Sequence, residues 1–521
     1  MFSWKLLGNL VCVISALFAS TTLHAYSVES EVAPRVSRQA LESLEYPMGR
    51  DHSSGNVVFT VTNYGMLGEW QWPYSTNPDS MQMGCEFPKG SGILHSFFGA
   101  LWIGAVAGED TIVSTGADGW QNVHELYPDF GAEGILRLSN RPGDADFDAS
   151  AVADEEFVAV YYDTLTNPAY VMPDPFEGRS HIPLGLKIRQ HSYSFSEQPD
   201  DDYILIRYTI TNIGSKHLQG VHIGAFFDSD VWHRDTPNGF TDDIAGSRWV
   251  PNFDGTDSVL VGYVADDDGD PNSDGEWDEF SARSVFSAAM IDPPSGQGRG
   301  FNWWISNGNP CNDWGPVLQT HDRPFGTDAS GTPEGDRNKY YMMSNPEIDI
   351  DQLWSLYDFS TVPYFEPPFC LRDPYTSDTR FLLSFGGSDL APGDSVQFCI
   401  AVVLGADIHT GTDNWDLFDP YDPEPFYNTL DFSDLDANLA AAQTMYQRMF
   451  FAIAGDVNNT ADVTISDVVY LINYMFLHGA APVHLNSADV NGDCKINISD
   501  VVQLVRYVFD SGVHLELGCM Q

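Results

Sequence analysis

The stretch "DVNGDCKINISDVVQLVRYVF", Asp489 to Phe509, joins a short loop of oxygen-bearing side chains to an apolar helix pattern. In its first twelve residues, acidic or amide side chains fall at positions 1, 3, 5, 9 and 12. This pattern is typical of calcium loops, in which a short segment turns alternate residues toward one ion. Position 6, where such loops favour glycine, holds Cys494. The stretch alone is consistent with a metal site and with a chance run of Asp and Asn in an acidic chain.

A second copy of the pattern lies 33 residues upstream and favours the metal site. We name Asp456–Asp467, "DVNNTADVTISD", loop one, and Asp489–Asp500 loop two. The segments "ISDVVYLINYMF" and "ISDVVQLVRYVF", which begin at position 10 of each loop, share eight of twelve residues. Apolar residues recur at helical spacing in both copies: Val468, Leu471, Ile472 and Met475, and Val501, Leu504, Val505 and Val508. Each copy is predicted to be a calcium loop followed by a helix.

The predicted ligands are oxygens at alternate positions, because Ca²⁺ is a hard ion that takes six to eight oxygen ligands. In loop one they are Asp456, Asn458, Thr460, the backbone carbonyl of Asp462, Thr464 and Asp467. In loop two they are Asp489, Asn491, Asp493, the backbone carbonyl of Lys495, Asn497 and Asp500. Loop one is predicted to be the weaker site, since Thr460 supplies a hydroxyl where loop two has a carboxylate. Both loops lack glycine at position 6, and a non-glycine residue at positive φ costs about 1 kcal/mol.

The duplicated unit resembles a type I dockerin over Gly455–Gln521. Dockerins are small calcium-dependent modules of secreted proteins that dock onto cohesins, and many of them attach polysaccharide-degrading enzymes or sugar-binding proteins to a scaffold. The resemblance therefore implies Ca²⁺ as cofactor and a cohesin-type module as partner. Both loops carry the Asp that dockerins have at position 12. Positions 10 and 11, which help to choose the cohesin in several dockerins, are Ile465-Ser466 and Ile498-Ser499. Their near symmetry suits two docking orientations.

The first 25 residues read as an export signal, with Lys5 before the apolar run Leu6–Phe18 and a small residue, Ala25, at the end. The run is too short for a good membrane span. We therefore expect a secreted bacterial protein, extracellular or associated with the cell surface, without membrane insertion. The formal charge of −50 excludes nucleic acid and anionic membranes as natural partners.

Six cysteines follow this signal, and an even number in an exported chain indicates disulfides, with buried free thiols as the alternative. Three bridges allow 15 pairings, so sequence does not fix them. One pair is nevertheless predicted, Cys494 with Cys519, since it would tie the chain end to loop two. Closing a loop of this size contributes roughly 3 kcal/mol.

Between these ends the chain reads as strands. Three antiparallel pairs are predicted from alternating apolar residues and turn signals: Tyr203–Thr211 with Val221–Phe227, Arg380–Phe385 with Ser395–Gly405, and 99–108 with 111–115 turning at Glu109-Asp110. Asp436–Met449, which has no Gly or Pro, is predicted to be a helix. The fold class is thus mostly β, an antiparallel sandwich-like body with long loops, plus a small α-helical C-terminal dockerin-like domain with two EF-hand-like loops.

The predicted domains are a signal peptide at 1–25, a polar lead-in at 26–50, a β-rich body at 51–434, a helix and linker at 435–454 and the dockerin-like domain at 455–521. The body is read as one sandwich or as two with a break near residue 190.

Two acidic groups in the body are candidate sites. Asp270, Asn272, Asp274 and Asp278 follow a D-x-N-x-D-G pattern with Gly275 at the turn, which predicts either a calcium site or a solvated acidic turn. Clustered acids also follow the Val221–Phe227 strand, as a metal site, an acid/base pair or, in preference, a solvated loop: Asp228, Asp230, His233, Asp235, Asp242 and Asp243. Trp303 and Trp304 are interpreted as core or as a sugar platform, and so are Trp70, Trp72 and Tyr74.

The body contains no recognised catalytic motif. The first hypothesis is therefore a binding or structural role in polysaccharide degradation. The alternative is a glycoside hydrolase or related polysaccharide-active enzyme acting on O-glycosyl bonds. That chemistry requires only two suitably spaced carboxylates, which sequence spacing does not reveal.

Overall fold

The computed structural model describes most of the body and of the C-terminal region, and the statements below concern these residues. They are 49–68, 84–118, 124–128, 134–148, 150–171, 173, 178–252, 258–293, 298–305, 333–354, 378–419, 421–460, 462–510 and 512–518. The predicted export signal and residues 26–48 of the lead-in lie outside the described residues. The same holds for Trp70, Trp72, Tyr74, Cys311, Cys370, Ala461 and Cys519.

The described residues form twenty strands and six α-helices. The strands are β1 Gly49–His52, β2 Val58–Thr62, β3 Met66–Leu67, β4 Cys85–Glu86, β5 Ile93–Leu94, β6 Phe98–Ala107, β7 Asp110–Thr115, β8 Tyr127–Pro128, β9 Leu136–Leu138, β10 Glu155–Tyr162, β11 Leu186–Ser194, β12 Tyr203–Asn212, β13 Leu218–Asp228, β14 Trp232–His233, β15 Asp243–Pro251, β16 Ser258–Asp266, β17 Val285–Met290, β18 Gly298–Ile305, β19 Thr379–Leu390 and β20 Ser395–Gly405. The helices are α1 Gly335–Ser344, α2 Glu424–Tyr427, α3 Ser433–Phe450, α4 Ile465–Phe476, α5 Leu485–Ala488 and α6 Ile498–Phe509, with a 3₁₀ turn at Trp415–Leu417.

The strands make two large antiparallel sheets, which confirms the mostly β fold class. The first sheet has the order β14-β5-β4-β2-β3-β6-β13-β19-β18, with β1 beside β2 and β7 beside β6. The second has the order β15-β16-β17-β20-β12-β11-β10-β8, with β9 beside β10. Residue 190 lies inside β11, which pairs with β10 and β12 on its two sides, so the strand order is continuous at the break considered from sequence.

The largest apolar core lies between the two sheets, as expected for a sandwich. Ile204, Ile206 and Ile210 of β12 are buried there against residues of the first sheet. Leu205 points to the opposite face, where it packs in a second core with Leu439 of α3. The apolar exception in the alternating strand is therefore explained by a helix that covers the outer face of the second sheet.

Helix α1 covers the outer face of the first sheet in the same way. Met342 and Met343 pack with Trp102, Phe226 and Trp304, all of them buried. Trp303 is also fully buried, on the other face, in the core between the sheets. The core interpretation of Trp303 and Trp304 is confirmed, and the sugar-platform interpretation of these two side chains is wrong.

Two of the three predicted strand pairs are wrong in their pairing although the strands exist. β12 lies in the second sheet beside β11 and β20, whereas β13 lies in the first sheet beside β6 and β19. β19 and β20 are likewise divided between the two sheets. Alternation identifies the buried face of a strand but not its neighbour, and a connection such as 213–217 is long enough to cross the roughly 10 Å between packed sheets.

The third predicted pair, β6 with β7, is confirmed with a small correction to its turn. Ala107 pairs with Asp110, so the two turn residues are Gly108 and Glu109 rather than Glu109 and Asp110. Gly108 has φ of +80°, a conformation that favours glycine.

The C-terminal module packs α4 against α6 around a small core of its own. Buried residues from both repeats meet there, including Val468 and Leu471 from α4 and Val501 and Leu504 from α6. Ile472, Met475, Val505 and Val508 are half-buried at its edge. The predicted apolar periodicity of both helices is therefore confirmed, and so is the helix predicted at Asp436–Met449, which lies within α3. None of the described helices is both long and apolar enough to cross a membrane.

Candidate functional site

The last aspartate of each loop lies at the start of the following helix. Thr464 caps α4 and Asn497 caps α6, and each cap accepts a hydrogen bond from the backbone N–H of the serine two residues on. Asp467 and Asp500, three residues after the caps, accept from the backbone N–H of Thr464 and Asn497, both at 2.8 Å. This reciprocal arrangement is a capping box, and it joins position 12 of each loop to its helix.

In loop one, Asp467 is satisfied by the loop's own backbone. Its Oδ1 accepts N–H groups of Val457 at 2.9 Å and Asn458 at 3.0 Å. The Asp456 carboxylate accepts the N–H of Thr460 at 2.8 Å. Both aspartates are buried, so these bonds hold the loop closed around its first and last positions.

In loop two, a buried carboxylate oxygen is left without a hydrogen-bond partner. Asp489 and Asp500 are both 0 % exposed, and Oδ2 of Asp489 has no partner. Burial raises the pKa of the Asp500 carboxyl against the lowering effect of hydrogen bonds from the backbone N–H groups of Asn497 and Asn491, and the charges of Asp489 and Asp493 raise it further. Uncompensated buried carboxylates are costly, so this oxygen set is suited to a cation.

The backbone of the loops turns through left-handed residues at two positions. At position 6, Cys494 has φ of +62°, so the predicted non-glycine residue at positive φ is present in loop two. At position 4, Asn459 and Gly492 have φ of +57° and +68°. Sequence reasoning missed position 4, although Asn and Gly are the residues that tolerate this conformation best.

Each loop is anchored to a different part of the chain. Loop one contacts the end of α3, where Arg448 Nε donates to the carbonyl of Asn459 at 2.8 Å and Asn459 Nδ2 donates to the carbonyl of Arg448 at 2.9 Å. Loop two contacts the C-terminal tail, in which the N–H of Glu516 donates to the carbonyl of Val490 at 3.0 Å. No sequence pattern indicated the role of Arg448.

The described cysteines include two free thiols and one disulfide-bonded residue. Cys85 and Cys399 are free and fully buried, so the expectation that all six form bridges is wrong for these two. They lie in β4 of the first sheet and β20 of the second. Cys494 is disulfide-bonded. Its predicted partner, Cys519, lies outside the described residues, so that pairing stays a prediction.

The two helices present matching exposed apolar residues. Ile465 and Ile498, at position 10, are 50 % and 57 % exposed, and Val469 and Val502 are 52 % and 53 % exposed. Beside them a groove is lined by residues at the start of α4 and the end of α6: Val463, Thr464, Ile465, Tyr507, Val508 and Phe509. Apolar side chains so exposed in pairs are typical of a protein-binding face. We call Ile465, Val469, Ile498 and Val502 the docking face.

Residues 454–509 match the dockerin type I domain. Type I dockerin domains bind Ca²⁺ through EF-hand-like loops, and the dockerin region of this chain contains both loops and both helices described above. The match confirms the resemblance inferred from the sequence repeat, and the β-rich body lies outside it.

For the body, the comparisons with known proteins give no family. No curated protein sequence matches the chain. Solved structures with some similarity include a candidate aldose 1-epimerase from Escherichia coli K12, with 9 % identity and a TM-score of 0.23, covering 69 % of this chain and 100 % of that one. Another is a polysaccharide lyase, with 11 % identity and a TM-score of 0.21, covering 69 % of this chain and 32 % of that one. The body is therefore not assigned to a family.

The D-x-N-x-D-G segment of the body is placed differently from a dockerin loop. Asp274 and Asp278 are exposed, and Asn272 Oδ1 accepts the backbone N–H groups of Asp274 at 3.0 Å and Glu276 at 3.1 Å. Asp270 instead lies with Asp242 and Asp266, one carboxylate oxygen of each being within 4.8 Å of the others. The structure thus brings Asp270 to Asp242 and Asp266, two acids that the predicted pattern does not include.

The acids that follow β13 are mostly buried, so their preferred interpretation as a solvated loop is wrong. Asp228, Asp230, His233 and Asp243 are at most 6 % exposed, while Asp235 is exposed. The segment between β13 and β15 pairs with β5 as β14, the edge strand of the first sheet, so it is part of the folded body and not a solvated loop.

Part of this acid group is compensated by an arginine. Arg380 pairs with Asp228 at 3.1 Å and with Asp378 at 2.9 Å, and all three side chains are buried. Burial raises the pKa of Asp228 to about 7 against the lowering effect of Arg380. The group reads as a buried ion-pair network, in which one partner offsets the charge of the others.

Proposed function

We propose that this protein is secreted by a bacterium and attached, through calcium-dependent docking of residues 455–521, to a cohesin-bearing scaffold or cell-surface partner. The match of residues 454–509 to the dockerin type I domain carries the proposal. The paired exposed residues of the docking face support it, because they offer an apolar surface to a partner.

Calcium is coupled to this face by the position of the ligands. Asp467 and Asp500 are at once proposed metal ligands and members of the capping boxes of α4 and α6. Ile465 and Ile498 are the first residues of these helices. Calcium that orders the loops would therefore fix the helix starts on which the docking face begins.

The proposed ligands are those of the two loops. They are Asp456, Asn458, Thr460, the Asp462 carbonyl, Thr464 and Asp467 in loop one, and Asp489, Asn491, Asp493, the Lys495 carbonyl, Asn497 and Asp500 in loop two. Ca²⁺ would offset the charge of the buried carboxylates, and loop two, with the unpartnered Oδ2 of Asp489, is the stronger site.

Pull-down of the full chain with a panel of cohesins tests the proposal. We expect capture by at least one type I cohesin in calcium and loss of capture in excess chelator. A variant carrying Asp489→Ala and Asp500→Ala in loop two should bind more weakly, and Asp510→Asn, an exposed acid just after α6, should bind as the natural chain does. Capture that is unaffected by chelator would refute the calcium dependence.

For the β-rich body we propose a binding or structural role in polysaccharide degradation. The support is the dockerin region itself, since dockerins commonly accompany such functions; fold alone does not imply function. Incubating the protein with a panel of polysaccharides separates the alternatives. Retention without release of reducing sugar is the expected result. Release of reducing sugar would indicate a glycoside hydrolase or related enzyme. If the protein is not retained and releases no sugar, a structural role is left.

A further inference from the structure

A second group of acids in the body lies where two paired strands end and a loop begins. Asp243 starts β15 and Asp266 ends β16, and the two residues are paired across the strands. Asp242 precedes Asp243, and Asp270 follows in the loop after β16. One carboxylate oxygen each of Asp242, Asp266 and Asp270 lies within 4.8 Å of the others. Three aspartates from three segments of the chain thus bring their carboxylates together, and Asp243 lies beside Asp266 on the neighbouring strand.

Each of these aspartates keeps one oxygen without a hydrogen-bond partner. Asp266 is 0 % exposed; its Oδ1 accepts the backbone N–H groups of Asp268 and Gly269, while its Oδ2 has no partner. Asp243 is also 0 % exposed; its Oδ1 accepts the N–H of Val231 at 3.1 Å, and its Oδ2 has no partner. The same is true of Oδ1 of Asp242 and Oδ2 of Asp270. The backbone donors hold one oxygen of Asp266 and one of Asp243 and leave the other oxygen of each without a partner.

The charge of the group is not balanced by a side chain in the way that Arg380 balances the neighbouring acids. No ion pair between described residues includes Asp242, Asp243, Asp266 or Asp270. His409 lies beside the group, but its Nε2 bonds the Asp266 carbonyl at 2.8 Å and its Nδ1 bonds Asn414 at 2.7 Å. Both ring nitrogens of His409 are therefore bonded to atoms other than the carboxylate oxygens of the group.

We propose that Asp242, Asp266 and Asp270, with Asp243 beside them, bind a calcium ion in the body, separate from the two dockerin loops. Several buried carboxylates that lie close together favour a bound cation, since an uncompensated buried charge costs several kcal/mol. The donors are all oxygens, which favours a hard ion over zinc. Ca²⁺ accepts irregular sets of six to eight oxygens completed by water, whereas Mg²⁺ demands a near-octahedral site.

The ion would fasten the loop after β16 to the β15–β16 pair. This loop is already closely packed, because a Cβ on Gly269 would lie 3.1 Å from ring atoms of both His409 and Trp277. Asp270 has φ of +56°, a conformation uncommon for a residue with a side chain. The bound cation would offset the strain of this turn, and Trp277 lies close enough to the group to act as a spectroscopic reporter.

The experiment uses the full chain with the dockerin loops disabled by Asp456→Ala, Asp467→Ala, Asp489→Ala and Asp500→Ala. Calcium is counted by equilibrium dialysis, and Tb³⁺ luminescence is excited through tryptophan and competed with Ca²⁺. We expect at least one bound calcium per chain. Asp270→Asn, a half-exposed position, should weaken this binding at least about 10-fold, by analogy with the effect of losing metal-site partners. Asp266→Asn should remove it, and Trp277→Phe should lower the luminescence without changing the calcium count.

Asp274→Asn is the matched control, because Asp274 lies in the same acidic segment but is exposed and outside the group. It should bind calcium as its parent does. Circular dichroism shows whether each variant is folded, and Asp270→Asn keeps the test decisive if Asp266→Asn does not fold. A parent that binds no calcium, an Asp270→Asn variant with unchanged affinity, or equal losses in Asp274→Asn and Asp270→Asn would each overturn the proposal.

Discussion

Loop one and loop two have the same ligand pattern and the same helix cap, yet they use their buried carboxylates differently. In loop one, both oxygens of Asp467 accept backbone N–H groups. In loop two, Oδ2 of Asp489 is buried and has no hydrogen-bond partner. A carboxylate oxygen that the backbone already satisfies gains less from a cation than one that nothing satisfies. We therefore expect loop two to be the tighter site.

The loops also differ in what they anchor. Loop one holds the module to the body through Arg448 and Asn459, while loop two holds the C-terminal tail through Val490 and Glu516. The duplication thus preserves the docking face in both copies, while the surroundings of each loop have diverged. Four sets of substitutions test this difference between the two loops.

The largest effect is expected when both copies of the docking face are charged. Ile465→Asp together with Ile498→Asp should weaken cohesin binding about 1,000-fold, since whichever copy docks then loses a buried anchor, and such an anchor contributes up to about 4 kcal/mol. Either change alone should weaken binding only a few-fold, because the other copy still presents its face. Calorimetry with a cohesin measures this.

Val483→Asp is the control for the added charge, since Val483 is exposed between the copies and outside the docking face. If one of the two single variants loses binding completely and the other binds as the natural chain does, only one copy docks.

Removing the last ligand of each loop should affect calcium unequally. Asp500→Ala should lower the affinity of the tighter module site about 100-fold, at the upper end of the losses seen for metal-site partners. Asp467→Ala should leave that site intact and instead destabilise the start of α4 by about 2 kcal/mol, through loss of its backbone hydrogen bonds.

Calcium titration and thermal unfolding of the full chain check both statements. An Asp266→Asn background removes the contribution of the proposed body site. If the tighter site disappears in Asp467→Ala and survives in Asp500→Ala, the order of the loops is reversed.

Cys494→Gly should change stability with a sign that depends on redox conditions. Glycine relieves the positive φ of position 6, worth about 1 kcal/mol, but removes a bridge worth roughly 3 kcal/mol. The variant should be less stable than the natural chain without reductant and more stable with it. Melting curves under both conditions, with peptide mapping of a non-reduced digest for the Cys494–Cys519 pair, provide the measurement. The same sign under both conditions contradicts this account of Cys494.

The smallest effect is expected at position 4. Gly492→Asn gives loop two the residue that loop one has there, and asparagine tolerates positive φ, so the loss of stability should stay below about 1 kcal/mol. Gly492→Val should cost more, because a β-branched residue is strongly disfavoured at φ of +68°. Urea unfolding compares the two. Equal losses would mean that crowding by Glu516, whose Oε2 lies 2.8 Å from a Cβ built on Gly492, dominates over backbone conformation.

What the sequence predicts well in this protein is local. The dockerin ligands fall within twelve residues, and the helix that follows each loop has a continuous apolar periodicity, so one repeat comparison predicts loops and helices together. Alternation likewise predicts β12 and β13 and the buried side of β12. These features depend on residues close in the chain, where spacing and geometry are directly related.

What the sequence does not predict is brought together over distance. β12 and β13 are consecutive but lie in opposite sheets, because alternation carries no information about neighbours. Asp270 was grouped with Asp274 and Asp278 by sequence proximity, whereas the pairing of β15 with β16 places it with Asp242 and Asp266. The acid-rich run at 266–268 was the available signal, but its significance depends on the strand register.

Calorimetric titration of the full chain with a type I cohesin, in calcium and then in excess chelator, tests whether the C-terminal module docks in a calcium-dependent way. We expect tight binding in calcium that is lost in chelator and restored when calcium is added back. Binding of equal affinity in calcium and in chelator, or no binding to any type I cohesin in calcium, would contradict it.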